Sequence, residues 1–170
     1  MFYSIPKKLS IGKTRILGNH TKMLMGYLRA FFDGAAQRGS CACGVFISMS
    51  EDLHFSIYWN GGCASNNKAE AMALVGLLRF NSFLNRQMLQ IYGDSKNIID
   101  QASGKLINKN PMLTGWINRI KMLWNNNPVF TINHVDRALN SRMDILSKRG
   151  LAIQPSSWKW RFKYKLQYIR

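Results

Sequence analysis

From residue 27 onward the apolar and polar positions fall into a regular pattern. Residues 27–32 read as a first strand that ends at Asp33-Gly34. Two further β-rich runs, 43–49 and 53–59, flank Ser50-Glu51-Asp52, which predicts a hairpin. Asn60-Gly61-Gly62 breaks the pattern. Ser65-Asn66-Asn67 then offers N-cap side chains to an Ala- and Leu-rich helix that reaches about Asn85. Residues 88–92 read as a short buried strand closed by Gly93-Asp94-Ser95, and 96–102 and 112–124 as helices. Residues 129–133 form a last strand and 139–149 a last helix.

The order is three strands, a helix, a strand, helices, a strand and a helix. It predicts an α/β fold with a mixed five-stranded sheet flanked by helices, an antiparallel hairpin on one side and right-handed crossovers on the other. Ligands in such sheets bind beyond the ends of the parallel strands. Asp33 and Asp94 both stand at predicted strand ends. Three regions are expected: a basic arm or transit-like segment over 1–26, the folded domain over 27–151, and a basic aromatic tail over 152–170.

Charge narrows the range of partners. In 170 residues, 24 Lys and Arg against 8 acids give a net charge of +16, a field that attracts polyanions. Hydrophobic residues at 46% are enough for a core, and no apolar run is long enough to span a membrane, so no membrane partner is expected. Cys41, Cys43 and Cys63 read as reduced thiols, and Cys41-Ala-Cys43 lacks the second ligand pair of a zinc site.

The scarce acids carry the chemistry. Asp33 ends the first strand, Glu70 lies near the start of the long helix, Asp94 ends the fourth strand and Asp144 lies on the last helix. Carboxylates gathered in one cleft repel one another unless cations neutralise them, and Mg²⁺ is the hard, oxygen-preferring ion that suits them. Two such ions about 4 Å apart activate a water and stabilise the leaving oxygen of a phosphodiester. Mn²⁺ is the alternative ion.

Asp33-Gly34-Ala35, Ser65-Asn66-Asn67-Lys68-Ala69-Glu70-Ala71, Tyr92-Gly93-Asp94-Ser95 and the stretch from His134 through Asp144-Ile145-Leu146 resemble the successive motifs of ribonuclease H. They are most similar to its plant, retroelement-related (reverse-transcriptase-like) branch, and the resemblance covers about residues 27–151. It implies a ribonuclease H-like sheet and a metal-dependent endonuclease acting on the RNA strand of RNA–DNA hybrids. Asp33, Glu70, Asp94 and Asp144 match the family's metal-binding acids. His134, ten positions before Asp144, matches a mobile-loop histidine that assists proton transfer and product release. Ser65, Asn66 and Asn67 fall where the family reads the minor groove of the hybrid, and Asn140 falls within the same substrate-binding set. The sequence departs from the family after Asp33, where Ala36-Gln37-Arg38-Gly39-Ser40 replaces a Gly- and Pro-rich turn, and at Asp136, Ala138 and Met143.

In the tail, Trp158, Trp160, Phe162 and Tyr164 alternate with Lys159, Arg161, Lys163 and Lys165. As an extended strand this puts rings on one face and charges on the other, a grip suited to stacked bases and phosphates. Trp158, Lys159, Trp160, Arg161, Lys163 and Lys165 are therefore expected to bind substrate. Two alternatives to the nuclease stay open. One is a ribonuclease H fold recruited as a structural RNA-binding protein of an organellar ribosome, with ribosomal RNA and proteins as partners; the other is a fragment of a retroelement polyprotein. The acid-free start with Lys7, Lys8, Lys13, Arg15 and Lys22 reads equally as a transit peptide or as an arm that binds nucleic acid or a leftover linker. The favoured location is an organelle matrix, the mitochondrion, with nucleus and cytoplasm open.

Overall fold

A computed structural model describes residues 28–50, 53–83, 88–126 and 129–164; the expectations for residues 1–26 and for Lys165 lie outside that range. The strands are β1 (Leu28–Gln37), β2 (Ser40–Ser48), β3 (Leu53–Gly62), β4 (Met88–Gly93), β5 (Val129–His134) and β6 (Trp158–Tyr164). The helices are α1 (Asn66–Phe83), α2 (Lys96–Ala102), α3 (Pro111–Asn125) and α4 (Ser141–Leu151), the last entered through a 3-10 turn at Arg137–Asn140.

One mixed sheet runs in the order β5-β4-β1-β2-β3-β6, with β5, β4 and β1 parallel and β1, β2, β3 and β6 antiparallel. It has six strands where the sequence pattern predicts five. The sixth is the aromatic-basic tail, which pairs with β3 from Leu53↔Tyr164 to Trp59↔Trp158. A run of β-prone rings next to an open strand edge satisfies that edge's backbone groups.

The first strand also runs further than expected. β1 passes through Asp33 to Gln37 and turns into β2 over Arg38 and Gly39, whose φ angles are 50° and 79°. Two consecutive positive φ values match the twist of a two-residue hairpin, which needs neither Pro nor a long loop. The break at Asp33 that the sequence suggests is real on the other edge. The parallel pairing of β1 with β4 stops at Phe31↔Tyr92, whereas pairing with β2 continues through Asp33↔Gly44. Asp33 therefore stands beyond the end of the parallel ladder on an unbroken strand.

α1 is buried nearly all round, through Ala69, Ala71, Met72, Leu74, Leu77 and Leu78, because it lies between the sheet and α3. α4 covers β1, β2 and β3 on the opposite face. The two faces alternate along each strand. Phe32, Cys43, Ile57 and Trp59 belong to the α1 core, while Phe31, Phe46 and Tyr58 pack with Met143 and Leu146 of α4.

Candidate metal centre

Two glycines let the elements that carry the site approach closely. A Cβ on Gly34 would stand 2.2 Å from the backbone of Ala69 and Glu70, so the bare backbone lets α1 seat directly on β1. Gly44, opposite Asp33 in the ladder, leaves the same kind of space for α4: a Cβ there would meet the Ser147 nitrogen at 2.7 Å. Helices from both faces thus converge on the residue pair Asp33-Gly34. The Cys43 thiol adds a tie by donating to the Ala69 carbonyl at 3.3 Å.

Asp33, Glu70 and Asp94 meet there, each presenting a carboxylate oxygen within 4.8 Å of the others. Asp33 and Glu70 are only 6% and 4% exposed. Burial pushes the Asp33 carboxyl up to about 6, with the negative charges of Asp94 and Asp144 adding to it against a hydrogen bond from Ser147. Burial likewise pushes Glu70 up to about 9, reinforced by the charges of Asp33 and Asp94. Among the described residues, Glu70 Oε2 is buried with no hydrogen-bond partner. A buried acceptor beside two further carboxylates fits a divalent cation, which would satisfy the oxygen and cancel the repulsion.

Asp144 lies in other surroundings. Its Oδ2 accepts from Lys148 Nζ at 2.6 Å and its Oδ1 from Arg137 at 3.2 Å. These bonds hold its carboxyl below the usual carboxylate value. It is not brought into the three-acid cluster. Its helix contributes Ser147 instead, whose hydroxyl donates to Asp33 Oδ2 at 2.5 Å and is fully buried. Ser147 is not among the residues that the sequence motifs single out. The signal available was its spacing: three residues after Asp144, it shares that helix face.

Asn140, expected at the substrate, is 1% exposed. Its Nδ2 donates to the Phe32 carbonyl at 3.0 Å and to Asp94 Oδ1 at 3.3 Å, so it orients Asp94 from below. A small amide at the tip of the 3-10 turn is drawn inward because the end of β1 leaves a buried carbonyl to satisfy. His134 ends β5 in register with Gly93, on the sheet ladder and not on a loop. Its Nε2–H donates to the Asp94 carbonyl at 3.2 Å, which leaves Nδ1 as the acceptor nitrogen.

Ser65, Asn66 and Asn67 are exposed at the start of α1, one turn ahead of Glu70, and Ser65 Oγ caps the helix by accepting from the Lys68 amide at 3.4 Å. In the tail the rings and charges part as expected. Through the register, Trp158 and Trp160 lie on the α1 face with Trp59 and Ile57, away from Asp33. Lys159, Arg161 and Lys163 lie on the carboxylate face with Tyr58, Ser56 and His54.

Residues 31–150 match the family described as reverse transcriptase-like. A ribonuclease HI from Halobacterium salinarum is 30% identical over 129 residues, 74% of this chain and 65% of the relative's length. The crystal structure of RNase H1 from the same archaeon superposes with a TM-score of 0.68 at 27% identity, covering 75% of this chain and 98% of that one. LC11-RNase H1, solved in complex with an RNA/DNA hybrid, superposes with a TM-score of 0.67 at 24% identity over 74% and 96% of the two chains.

Proposed function

Because the chain belongs to the ribonuclease H family, within its reverse transcriptase-like group, we propose that it is a metal-dependent endonuclease that hydrolyses the RNA strand of RNA–DNA hybrids. The observation that carries this reading is the convergence of Asp33, Glu70 and Asp94 within 4.8 Å, with a buried oxygen of Glu70 left for a cation. Mg²⁺ is the proposed ion, since hard oxygen ligands suit it, and Mn²⁺ the substitute. When bound, the ions supply an activated water and neutralise charge at the phosphodiester.

The protein's own part is to hold and to orient. Asp33 and Asp94 face each other across the end of the parallel ladder, and Glu70 reaches them from α1. Ser147 and Asn140 fix the rotamers of Asp33 and Asp94, so the donor set is ordered before metal enters. Asp144, now paired with Lys148 and Arg137, would serve as the fourth acid of the donor set. His134 accepts a proton at Nδ1 while its other nitrogen stays anchored to the Asp94 carbonyl. Ser65, Asn66 and Asn67 present donors and acceptors at the cleft's edge, where sugar hydroxyls tell RNA from DNA. The ribosomal reading has no observation that favours it.

The test is cleavage of a labelled RNA–DNA hybrid by the full chain with Mg²⁺, beside Asp94→Asn. Metal-dependent cutting that disappears in the variant is the expected result. An Asp94→Asn protein that cuts as fast as the parent would defeat the assignment.

A further inference from the structure

The sheet register assembles a row that no single stretch of sequence reveals. On the carboxylate face, Gln90, Arg29, Ser48, His54 and Lys163 stand side by side on β4, β1, β2, β3 and β6. The next row toward the carboxylates holds Tyr92, Phe31, Phe46, Ser56 and Arg161. Arg29, Arg161 and Lys163 are exposed, and none of the side chains in these two rows is acidic. Arg142 of α4 adds a fourth cation from above. Its guanidinium lies 4.1 Å over the Phe46 ring and donates to His54 Nε2 at 3.3 Å. Burial opposes protonation of His54, and the charges of Arg142 and Lys163 add to it.

Cations this close repel one another, and their cost is recovered when a polyanion lies across them. The row crosses five strands at about 4.8 Å spacing, so it is extended rather than a point site. Between it and Asp33 lie the half-buried rings of Phe31 and Tyr92, stacked with centroids 5.1 Å apart. The part of this face that α4 leaves open, with the half-buried rings of Phe31 and Tyr92 beside exposed cations, suits unpaired nucleotides, whose bases cover those two rings while phosphates meet the cations. From Arg29 to Asp33 is four residues along one strand, roughly 13 Å. The row is thus within a few nucleotides of the metal centre.

We propose that this face binds a single-stranded extension of the substrate, with Arg29, Arg142, Arg161 and Lys163 on its phosphates. The placement of the substrate rests on the nuclease reading above; the binding itself does not depend on cleavage. It also gives β6 a purpose, because the sixth strand carries two of the four cations onto the face of the site.

Binding to a labelled RNA–DNA hybrid is measured by fluorescence anisotropy in EDTA, blunt-ended and with a 5′ or a 3′ single-stranded overhang, across a salt series. The full chain is compared with Arg29→Ala/Lys163→Ala, and with Lys109→Ala/Lys121→Ala as a charge-matched control. The parent is expected to bind one overhang form about tenfold more tightly than the blunt duplex. The Arg29/Lys163 double variant should lose that advantage, with the salt slope for the overhang form falling by about 1.4. The control should keep it. An overhang that brings the parent no gain overturns the proposal, and so does an equal loss in both double variants. Failure of the nuclease reading would appear separately, as absent or metal-independent cleavage with the overhang effect intact.

Discussion

Asp33 and Asp144 are the same residue type on elements that touch, yet their carboxylates are pushed in opposite directions. Asp33 is buried beside Glu70 and Asp94, and burial raises it to about 6. Asp144 is partly exposed, its two oxygens on Lys148 and Arg137, and those bonds lower it. The pair shows that an acid's role is set by what compensates its charge. Asp144 already has cations from its own chain, whereas the cluster has a buried oxygen of Glu70 with no partner among the described residues. Only the cluster has reason to recruit an ion.

The sharpest way to break this comparison is to neutralise one acid on each side. Glu70→Gln should lower hybrid cleavage by about two to three powers of ten, the scale expected when several kcal/mol of metal-derived stabilisation is lost. Asp144→Asn should cost about tenfold or less, since that acid only completes the set. Initial rates at saturating Mg²⁺ decide it, and equal losses would mean that burial does not separate the roles. In the metal-free protein Glu70→Gln should also raise Tm, because a buried carboxylate without a cation is a liability.

A smaller effect is expected from the group that orients Asp33. Ser147→Ala removes a buried donor to Asp33 without touching any acid. It should weaken metal affinity by about 10- to 100-fold, read as the Mg²⁺ concentration giving half-maximal rate. Ser147→Thr, which keeps the hydroxyl, should recover part of that loss. Unchanged metal dependence in Ser147→Ala would make the bond incidental.

The smallest effect is in pH dependence. Asp33 and Glu70 have folded values raised above their unfolded ones, so the folded state holds the extra protons. Their contribution to stability is present in full below the unfolded values and is lost as pH rises through about 6 and about 9. The Tm of the metal-free protein should therefore fall between about pH 5 and about pH 9 by several degrees. Mg²⁺ should restore more Tm at the alkaline end than at the acid end, because ions then replace protons. Asp144 runs the other way: its contribution is lost as pH falls through its lowered folded value, and exposure keeps it slight. Thermal melts over pH with and without metal check both signs.

Most of the architecture was legible because it depends on local pattern. β-rich runs mark β2 and β3, and the Ala- and Leu-rich run from Ala69 marks α1. The three acids were legible because each borders a feature of the pattern: Asp33 the end of the apolar run 27–32, Asp94 the end of β4, and Glu70 the start of α1. The full length of β1 was not, because the feature that looks like a strand end at Asp33 is the end of pairing with β4, whose partner residues lie 61 positions further along the chain (Phe31↔Tyr92). β6 was legible as a strand-like alternation but not as a sheet member, since membership depends on the open edge of β3.

What the sequence determined by itself was the inventory: which acids exist, that they sit near element ends, and that a large excess of positive charge surrounds them. These follow from residue chemistry and short-range periodicity. Tertiary structure alone decided how they were sorted. Gly34 and Gly44 let helices from opposite faces press onto one strand, which buried Asp33 and Glu70 and placed Ser147 and Asn140 behind the acids. The pairing of β6 with β3 turned three tail cations toward the carboxylate face and both tryptophans away from it. Burial and register are relations between distant segments, and neither exists until the sheet closes.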